Sequence, residues 1–138
     1  MAEKDNLANN QVFEFEFQGK KLIFEIDKLA SKSGRSVLCR YGNTTVLTTL
    51  TSVSSVINRF SDFLHLTVFL EERFYSIGKF PGNFGRREGK PSEEAIKAAR
   101  RIDRTLRSFF CKGITDDIQI TNVVLSVDKN CDPRIVAC

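Results

Sequence analysis

The segment from residue 78 to residue 93 combines glycine, cationic and aromatic residues in a pattern typical of a polyanion-binding surface. Arg86 and Arg87 supply adjacent guanidinium groups that can fork onto phosphate oxygens, and Lys90 adds a further positive charge. Phe80 and Phe84 offer ring faces to unstacked bases, while four glycines let a sugar-phosphate backbone approach closely. The segment predicts single-stranded nucleic acid binding. The alternative is a solvated connection whose phenylalanines pack into the core.

A predicted amphipathic helix follows this segment and carries a second set of cations. Its N-cap is Ser92, and Glu93 and Glu94 lie in the first turn, where the helix dipole favours acidic side chains. At about 100° per residue, one face is apolar and the opposite face is basic. The apolar residues are Ala99, Ile102, Leu106, Phe109 and Phe110. The basic residues are Lys97, Arg100, Arg101, Arg104 and Arg107. A stripe of one sign repels itself unless an anion or a partner's acid neutralises it.

The positive charge of the chain is confined to this region. Residues 79–107 carry nine basic and four acidic side chains, whereas the rest of the chain has a net charge of −1. Such a distribution indicates a localised anion-binding surface rather than a generally basic protein. Asp103 lies near the edge of the apolar helix face, and we expect Arg100, Arg107 or a neighbouring amide to be its partner.

Residues suited to catalysis are scarcer. Glu71 and Glu72 beside Arg73 are adjacent on a predicted strand and point to opposite faces, which favours an ion-paired strand end over an acid/base pair. Asp128 and Asp132 are possible Mg²⁺ ligands, although turn formation is the commoner role of such residues. We therefore predict no catalytic residue and no metal site.

We call residues 78–93 the basic segment. The elements that must position it are the strands that precede it in the chain and one strand that follows it. Predicted strands cover residues 13–17, 21–26, 36–41, 44–50, 63–70 and 118–127. Residues 63–70 form an almost continuous apolar run, which predicts a strand covered on both faces. The helix is expected to run from Ser92 to about Cys111, before Gly113. This order predicts an α+β fold in which a mixed β-sheet with hairpins packs against the amphipathic helix.

Length and composition favour a single folded domain. The chain has 138 residues, of which 41% are hydrophobic and 28% are charged. Residues 1–10 are polar and are expected to form a flexible tail, and residues 11–138 the folded part. No apolar window has the length of a membrane span or the character of a signal peptide, so we expect a cytoplasmic protein with no membrane partner. The four cysteines lack disulfide or zinc spacing, which predicts free thiols.

Several of these stretches together resemble the first RNase PH-type core of the bacterial polynucleotide phosphorylases, also called polyribonucleotide nucleotidyltransferases. They are ERFYSIGKFPG (72–82), FGRREGKPSE (84–93), RRIDRTLR (100–107) and VLSVD (124–128) with Asp132-Pro133, and VLCRYGNTTVL (37–47) fits the second hairpin of that core. The resemblance extends from Val12 to the end of the chain. It implies the N-terminal part of an RNase PH-like fold.

The resemblance implies a role in RNA degradation. Enzymes of that family shorten RNA from the 3′ end with inorganic phosphate, require Mg²⁺, and form a homotrimeric ring around a channel whose entrance loop grips RNA. Carried onto this sequence, the RNA-binding residues are Phe84, Arg86, Arg87, Lys90, Arg100, Arg104 and Arg107. Two departures are Gly85, where a second phenylalanine is usual, and Thr105 and Ser108, where prolines are usual. We expect a looser grip on RNA and a more regular helix.

The same resemblance implies that catalysis lies elsewhere. The phosphate-binding serines, the catalytic aspartates and the Mg²⁺ site of the family belong to a second core. We therefore expect residues 11–138 to be an incomplete first domain that contributes RNA binding rather than catalysis. The alternatives are a non-catalytic RNA-binding or ring-forming fragment and a relic of a truncated gene. A single-core phosphorolytic enzyme would need the missing catalytic half.

Overall fold

A computed structural model describes residues 11–53, 64–80, 90–111, 114 and 116–138. Within these ranges the chain forms six strands, a short 3₁₀ helix and two α-helices. In chain order they are β1 (Gln11–Phe17), β2 (Lys20–Ile26), β3 (Arg35–Tyr41), β4 (Thr44–Val53), β5 (His65–Glu72), the 3₁₀ helix (Phe74–Ile77), α1 (Glu93–Arg107), β6 (Asp117–Ser126) and α2 (Pro133–Val136). The expected tail, residues 1–10, lies outside the described residues.

The strands form one mixed sheet in the order β1-β2-β3-β4-β6-β5. Strands β1 to β4 are successive antiparallel neighbours, β6 pairs antiparallel with β4, and β5 pairs parallel with β6. Two tight turns close the predicted hairpins: Gln18 and Gly19 both have positive φ (48° and 73°), as does Gly42 (60°). The predicted α+β class, with its hairpins and packed helix, is confirmed.

The core lies between α1 and one face of the sheet. Val46, Val124 and Leu70 from three neighbouring strands pack against Ala95 and Ala98 of α1, all of them at most 3% exposed. A second cluster nearby consists of Leu66, Ile118 and Ile120. Small residues on the buried side of α1 let the helix approach the sheet closely. The opposite side of the helix is exposed to solvent.

Two buried polar side chains link separate parts of the chain at this core. Asn122 of β6 is 1% exposed; its Oδ1 accepts a hydrogen bond from Thr48 Oγ1 at 2.7 Å, and its Nδ2 donates to the Phe69 carbonyl at 3.1 Å. Thr44 Oγ1 donates to the Cys131 carbonyl and accepts from the Asp128 N–H, both at 2.9 Å. The buried polar atoms of these two side chains thus have hydrogen-bond partners, as burial requires.

The prediction that the strand at residues 63–70 is covered on both faces is wrong. Only Leu66 and Leu70 of β5 are buried, and they alternate with exposed residues, among them Phe69 at 46% exposure. The reason is that β5 is an edge strand with α1 on one face only. An apolar run does not distinguish a strand with two covered faces from an edge strand with one.

The helix ends earlier than predicted, at Arg107 with Ser108 as its C-cap. Ser108 Oγ donates to the Thr105 carbonyl at 2.7 Å, and the Phe109 N–H bonds the Leu106 carbonyl at 2.9 Å, so the chain tightens into a turn. Phe109 therefore leaves the apolar face on which it was predicted and is 78% exposed. No helix in the described part of the chain is long and apolar enough to cross a membrane.

Candidate nucleic-acid interface

The predicted start of α1 is confirmed in detail. Ser92 Oγ accepts a hydrogen bond from the Ala95 N–H at 3.0 Å, and Glu93 and Glu94 occupy the first turn. The cap fixes the point at which the basic segment passes into the helix. Lys90, two residues before the cap, is exposed.

The outward side of α1 is a row of cations. Lys97, Arg100, Arg101 and Arg104 are exposed, and their side chains make no ion pair or hydrogen bond within the described ranges. We call these four residues the cationic face. Guanidinium groups this close together repel one another in water, and a polyanion would relieve that repulsion. The face is suited to hold phosphates through charge and through forked hydrogen bonds.

Arg107 differs from the residues of the cationic face because its guanidinium is engaged within the protein. Its Nε donates to both carboxylate oxygens of Asp103, at 3.1 and 3.0 Å. Its Nη1 and Nη2 each donate to a backbone carbonyl of the β5 region, those of Leu64 and Leu66, at 3.2 Å. Of the three partners considered for Asp103, the structure shows Arg107. The contact of Arg107 with RNA stays a prediction, and the guanidinium is already engaged within the protein.

A groove of about 1030 Å³ separates α1 from the free edge of β5 and the 3₁₀ helix. Its lining is largely apolar and includes Leu66, Ile96 and Phe74, and the cations Lys90 and Arg100 also line it. The predicted RNA contacts at 90 and 100, ten residues apart in the chain, therefore meet at one surface feature.

The basic segment leaves the sheet through a well-anchored turn. Gly78 caps the C-terminal end of the 3₁₀ helix; its φ of 68° suits glycine, and its N–H donates to the Tyr75 carbonyl at 3.0 Å. The Val127 N–H donates to the Ser76 carbonyl at 3.2 Å, which ties this turn to the end of β6. Phe80, just beyond, is 93% exposed, so this ring does not pack into the core.

Three of the predicted RNA contacts, Phe84, Arg86 and Arg87, lie outside the described residues. Of the predicted set, the structure places Lys90 and Arg100 in the lining of one groove and Arg104 one turn beyond Arg100 on α1. Arg107 is engaged with Asp103 and the β5 region. The roles of all seven residues stay predictions.

Three acidic residues outside α1 serve local structure, namely Glu71, Asp128 and Asp132. Arg73 pairs with Glu71, which confirms the ion-paired strand end. Asp132 is the N-cap of α2 and pairs with Arg134 Nε at 2.9 Å, and Asp128 Oδ1 accepts from the Asn130 N–H at 3.2 Å. Both aspartates thus have the turn and cap roles that are the commoner ones for such residues. No group of three or more His, Cys, Asp or Glu side chains within the described ranges could hold a metal ion.

The four cysteines are free thiols, as predicted. Cys39 and Cys131 are buried, and burial raises the pKa of Cys39 to about 11. Cys111 and Cys138 are exposed.

Sequence reasoning missed one contact that shapes this surface. Ser92 Oγ also donates to Glu72 Oε2 at 2.9 Å, so the end of β5 is joined to the start of α1 across twenty residues of chain. The only available signal was the pair of acids at the end of the strand, and pairing at that distance in the chain is not readable from spacing.

Comparison with known proteins shows the family. The profile of the 3′ exoribonuclease family, domain 1 (RNase PH), matches residues 18–138. A polyribonucleotide nucleotidyltransferase of Brevibacillus brevis is 48% identical over 127 residues, which cover 92% of this chain. Those of Heliobacterium modesticaldum and Bacillus anthracis are 48% and 45% identical over 91% and 92% of it. The chain spans 18% of the length of each of these relatives. It belongs to the RNase PH, or 3′ exoribonuclease, family, and resembles the first domain of the polyribonucleotide nucleotidyltransferases.

Proposed function

We propose that this chain contributes RNA binding to a phosphate-dependent 3′-to-5′ exoribonuclease of the polyribonucleotide nucleotidyltransferase type. The observation that carries the proposal is the cationic face of α1, whose four side chains have no acidic partner in the described part of the chain. The relatives of this chain are named polyribonucleotide nucleotidyltransferases, that is, enzymes that act on polyribonucleotides. A single strand of RNA presents phosphates at intervals that such a row can follow.

Within this proposal, the RNA runs from the basic segment along α1. Lys90 and Arg100 line the groove, and Arg104 lies one turn further along the helix. Phe84, Arg86 and Arg87 complete the proposed contact on the segment, with Phe84 as a stacking surface. In this arrangement the cations contact phosphates and Phe84 stacks on the faces of bases, and none of these groups reads a base edge. We therefore expect binding with little sequence preference.

We further propose that the chemistry resides outside this chain. In the family that it resembles, a second core supplies the phosphate site, the catalytic carboxylates and Mg²⁺, and three subunits form a ring in the cytoplasm. The turn and helix-cap contacts of the Asp128 and Asp132 carboxylates support this part of the proposal, because they give both acids a structural role. The second candidate function is that of a non-catalytic RNA-binding or ring-forming fragment. It would use the same cationic face, but the chain would not be part of an active exoribonuclease.

The RNA-binding proposal is tested by removing two cations of the face. We expect Arg100→Ala/Arg104→Ala to weaken binding of poly(A) and to reduce the slope of log K against log salt by about 1.4, because each phosphate contact on a single strand contributes roughly 0.7. The matched control is Lys32→Ala/Lys129→Ala, which removes the same charge from exposed sites elsewhere. If both double variants lose the same poly(A) affinity and the same salt slope, only the net charge matters and the proposed binding surface on α1 is refuted.

The location of catalysis is tested with the same purified chain. Poly(A) is incubated with inorganic phosphate and Mg²⁺, and the release of nucleoside diphosphates is measured. We expect none. Turnover that depends on phosphate would place catalytic groups in this chain and overturn that part of the proposal.

A further inference from the structure

Helix α1 runs antiparallel to β5 and is fastened to it at both ends by acidic side chains. The start of the helix meets the end of the strand through Glu72, and the end of the helix meets the start of the strand through Asp103 and Arg107. Both acids lie beside the cationic face, where a negative charge opposes the binding of RNA.

At the first end, one hydroxyl serves two partners. Ser92 Oγ accepts from the Ala95 N–H at 3.0 Å and donates to Glu72 Oε2 at 2.9 Å. A hydroxyl has one proton and two lone pairs, so the two bonds are compatible and each orients the other. The carboxylate makes the bond charge-assisted, which strengthens it relative to a neutral pair.

At the second end, Arg107 bridges three acceptors. Asp103, one turn earlier on the same helix, holds the guanidinium through Nε, and this contact aims Nη1 and Nη2 at the Leu64 and Leu66 carbonyls. Carbonyls alternate in direction along a strand, and those on the outer side of an edge strand such as β5 have no neighbouring strand to pair with. The bridge gives the Leu64 and Leu66 carbonyls a partner and holds the last turn of α1 against the strand.

We propose that Glu72 and Asp103 are positioning residues of the RNA-binding surface. Neither contacts RNA. By fastening the two ends of α1 to β5, they set the line along which Arg100 and Arg104 follow Lys90. This inference rests on the proposed RNA-binding function, and it assigns Arg107 to the same bridge rather than to a phosphate.

The sign of a charge-removing substitution separates this role from simple electrostatics. If an acid acts only through its charge, its removal raises RNA affinity. If it positions the cations, its removal lowers RNA affinity although the surface becomes more positive. Glu93 is the matched control: it lies next to the same cap, is exposed, and has no hydrogen bond or ion pair within the described ranges.

The experiment measures binding of the 138-residue chain to poly(A) at fixed salt. We expect Glu72→Ala to weaken binding about three- to tenfold, because the net contribution of one exposed hydrogen bond limits what positioning through it can add. Glu72→Gln, whose amide oxygen still accepts from Ser92, should restore binding to the wild-type level or above. Glu93→Ala should leave affinity unchanged or raise it. A rise in affinity for Glu72→Ala equal to that of Glu93→Ala would overturn the inference.

The other end of the helix provides a second test, which stands even if a variant of Glu72 does not fold. Asp103→Ala should weaken binding, and Asp103→Asn, which keeps an acceptor for Arg107 Nε, should weaken it less. Arg107→Ala should lower affinity with the salt slope unchanged, whereas Arg104→Ala should reduce the slope by about 0.7. A slope reduced by the same amount in Arg107→Ala would show a direct phosphate contact and contradict the bridge.

Failure of the proposed function has a different signature. If the wild-type chain does not bind poly(A) at low salt, the RNA proposal fails for every variant alike. Hydrogen exchange at the Ala95 amide still reports the first fastening, because Glu72→Ala loosens the cap and speeds exchange there. Unchanged exchange at Ala95, together with unchanged RNA binding in Glu72→Ala, would show that the bridge has no positioning role.

Discussion

Asn122→Asp changes one atom at the centre of the sheet and tests how β5 is held. Asn122 receives a hydrogen bond from Thr48 on β4 and gives one to the Phe69 carbonyl on β5. An ionised aspartate keeps the first bond, loses the second and faces the carbonyl oxygen with a negative charge. Burial and this repulsion both disfavour the charged form, so the folded-state pKa of the new carboxyl must lie above its unfolded value.

The magnitude follows from the burial of this site, which is 1% exposed. A rise of about two pKa units costs about 2.7 kcal/mol of the free energy of unfolding at a pH above both pKa values. Because the folded-state pKa is raised, the cost is fully present at high pH and shrinks as the pH falls toward about 4. The protonated acid can then donate to the Phe69 carbonyl and replace the lost amide N–H.

The assay is urea unfolding at several pH values between about 4 and 8. Asn122→Asp should be less stable than the wild type by about 3 kcal/mol at pH 8 and by about 1 kcal/mol or less at pH 4. Gln119→Glu is the control, because Gln119 is an exposed amide on the same strand and its replacement should cost little at any pH. A deficit for Asn122→Asp that does not change with pH would refute the reasoning.

Two further predictions concern the reactivity of the cysteines and the pKa of Asp27. Cys111 and Cys138 are exposed and should react rapidly with a thiol reagent in the native protein. Cys39 is buried and has about one thiol in a thousand ionised at pH 8, so it should react only after unfolding. Rapid labelling of Cys39 in the native state would contradict its burial. The Ser36 N–H, and after it the Arg35 guanidinium, hold the pKa of Asp27 below its usual range, so Asp27 stabilises the fold above its unfolded pKa and that stability is lost as the pH falls through the folded value. Asp27→Asn should therefore lose less stability than the wild type during acid titration below about pH 4, as followed by circular dichroism, and an unchanged acid profile would count against this bond.

Local chemistry made much of the fold predictable. The hairpins follow from two-residue periodicity and from turn residues that accept a positive φ, and the start of α1 follows from the capping preference of Ser92. The end of α1 was harder to predict, because the hydroxyl of Ser108 competes for a backbone carbonyl and the competition depends on local geometry. The cationic face was predictable because helical periodicity depends only on the order of residues along the chain.

The order of residues along the chain is enough to predict the six strands, the start of α1, the location of the surplus positive charge and the family. The tertiary structure alone decided that β5 lies at the edge of the sheet, and so that its apolar run is covered on one face. It also decided that Glu72 meets Ser92 and that Arg107 turns to the Leu64 and Leu66 carbonyls. These contacts join residues 20 to 43 positions apart. They depend on how the helix packs on the sheet, and residue spacing along the chain carries no record of that packing.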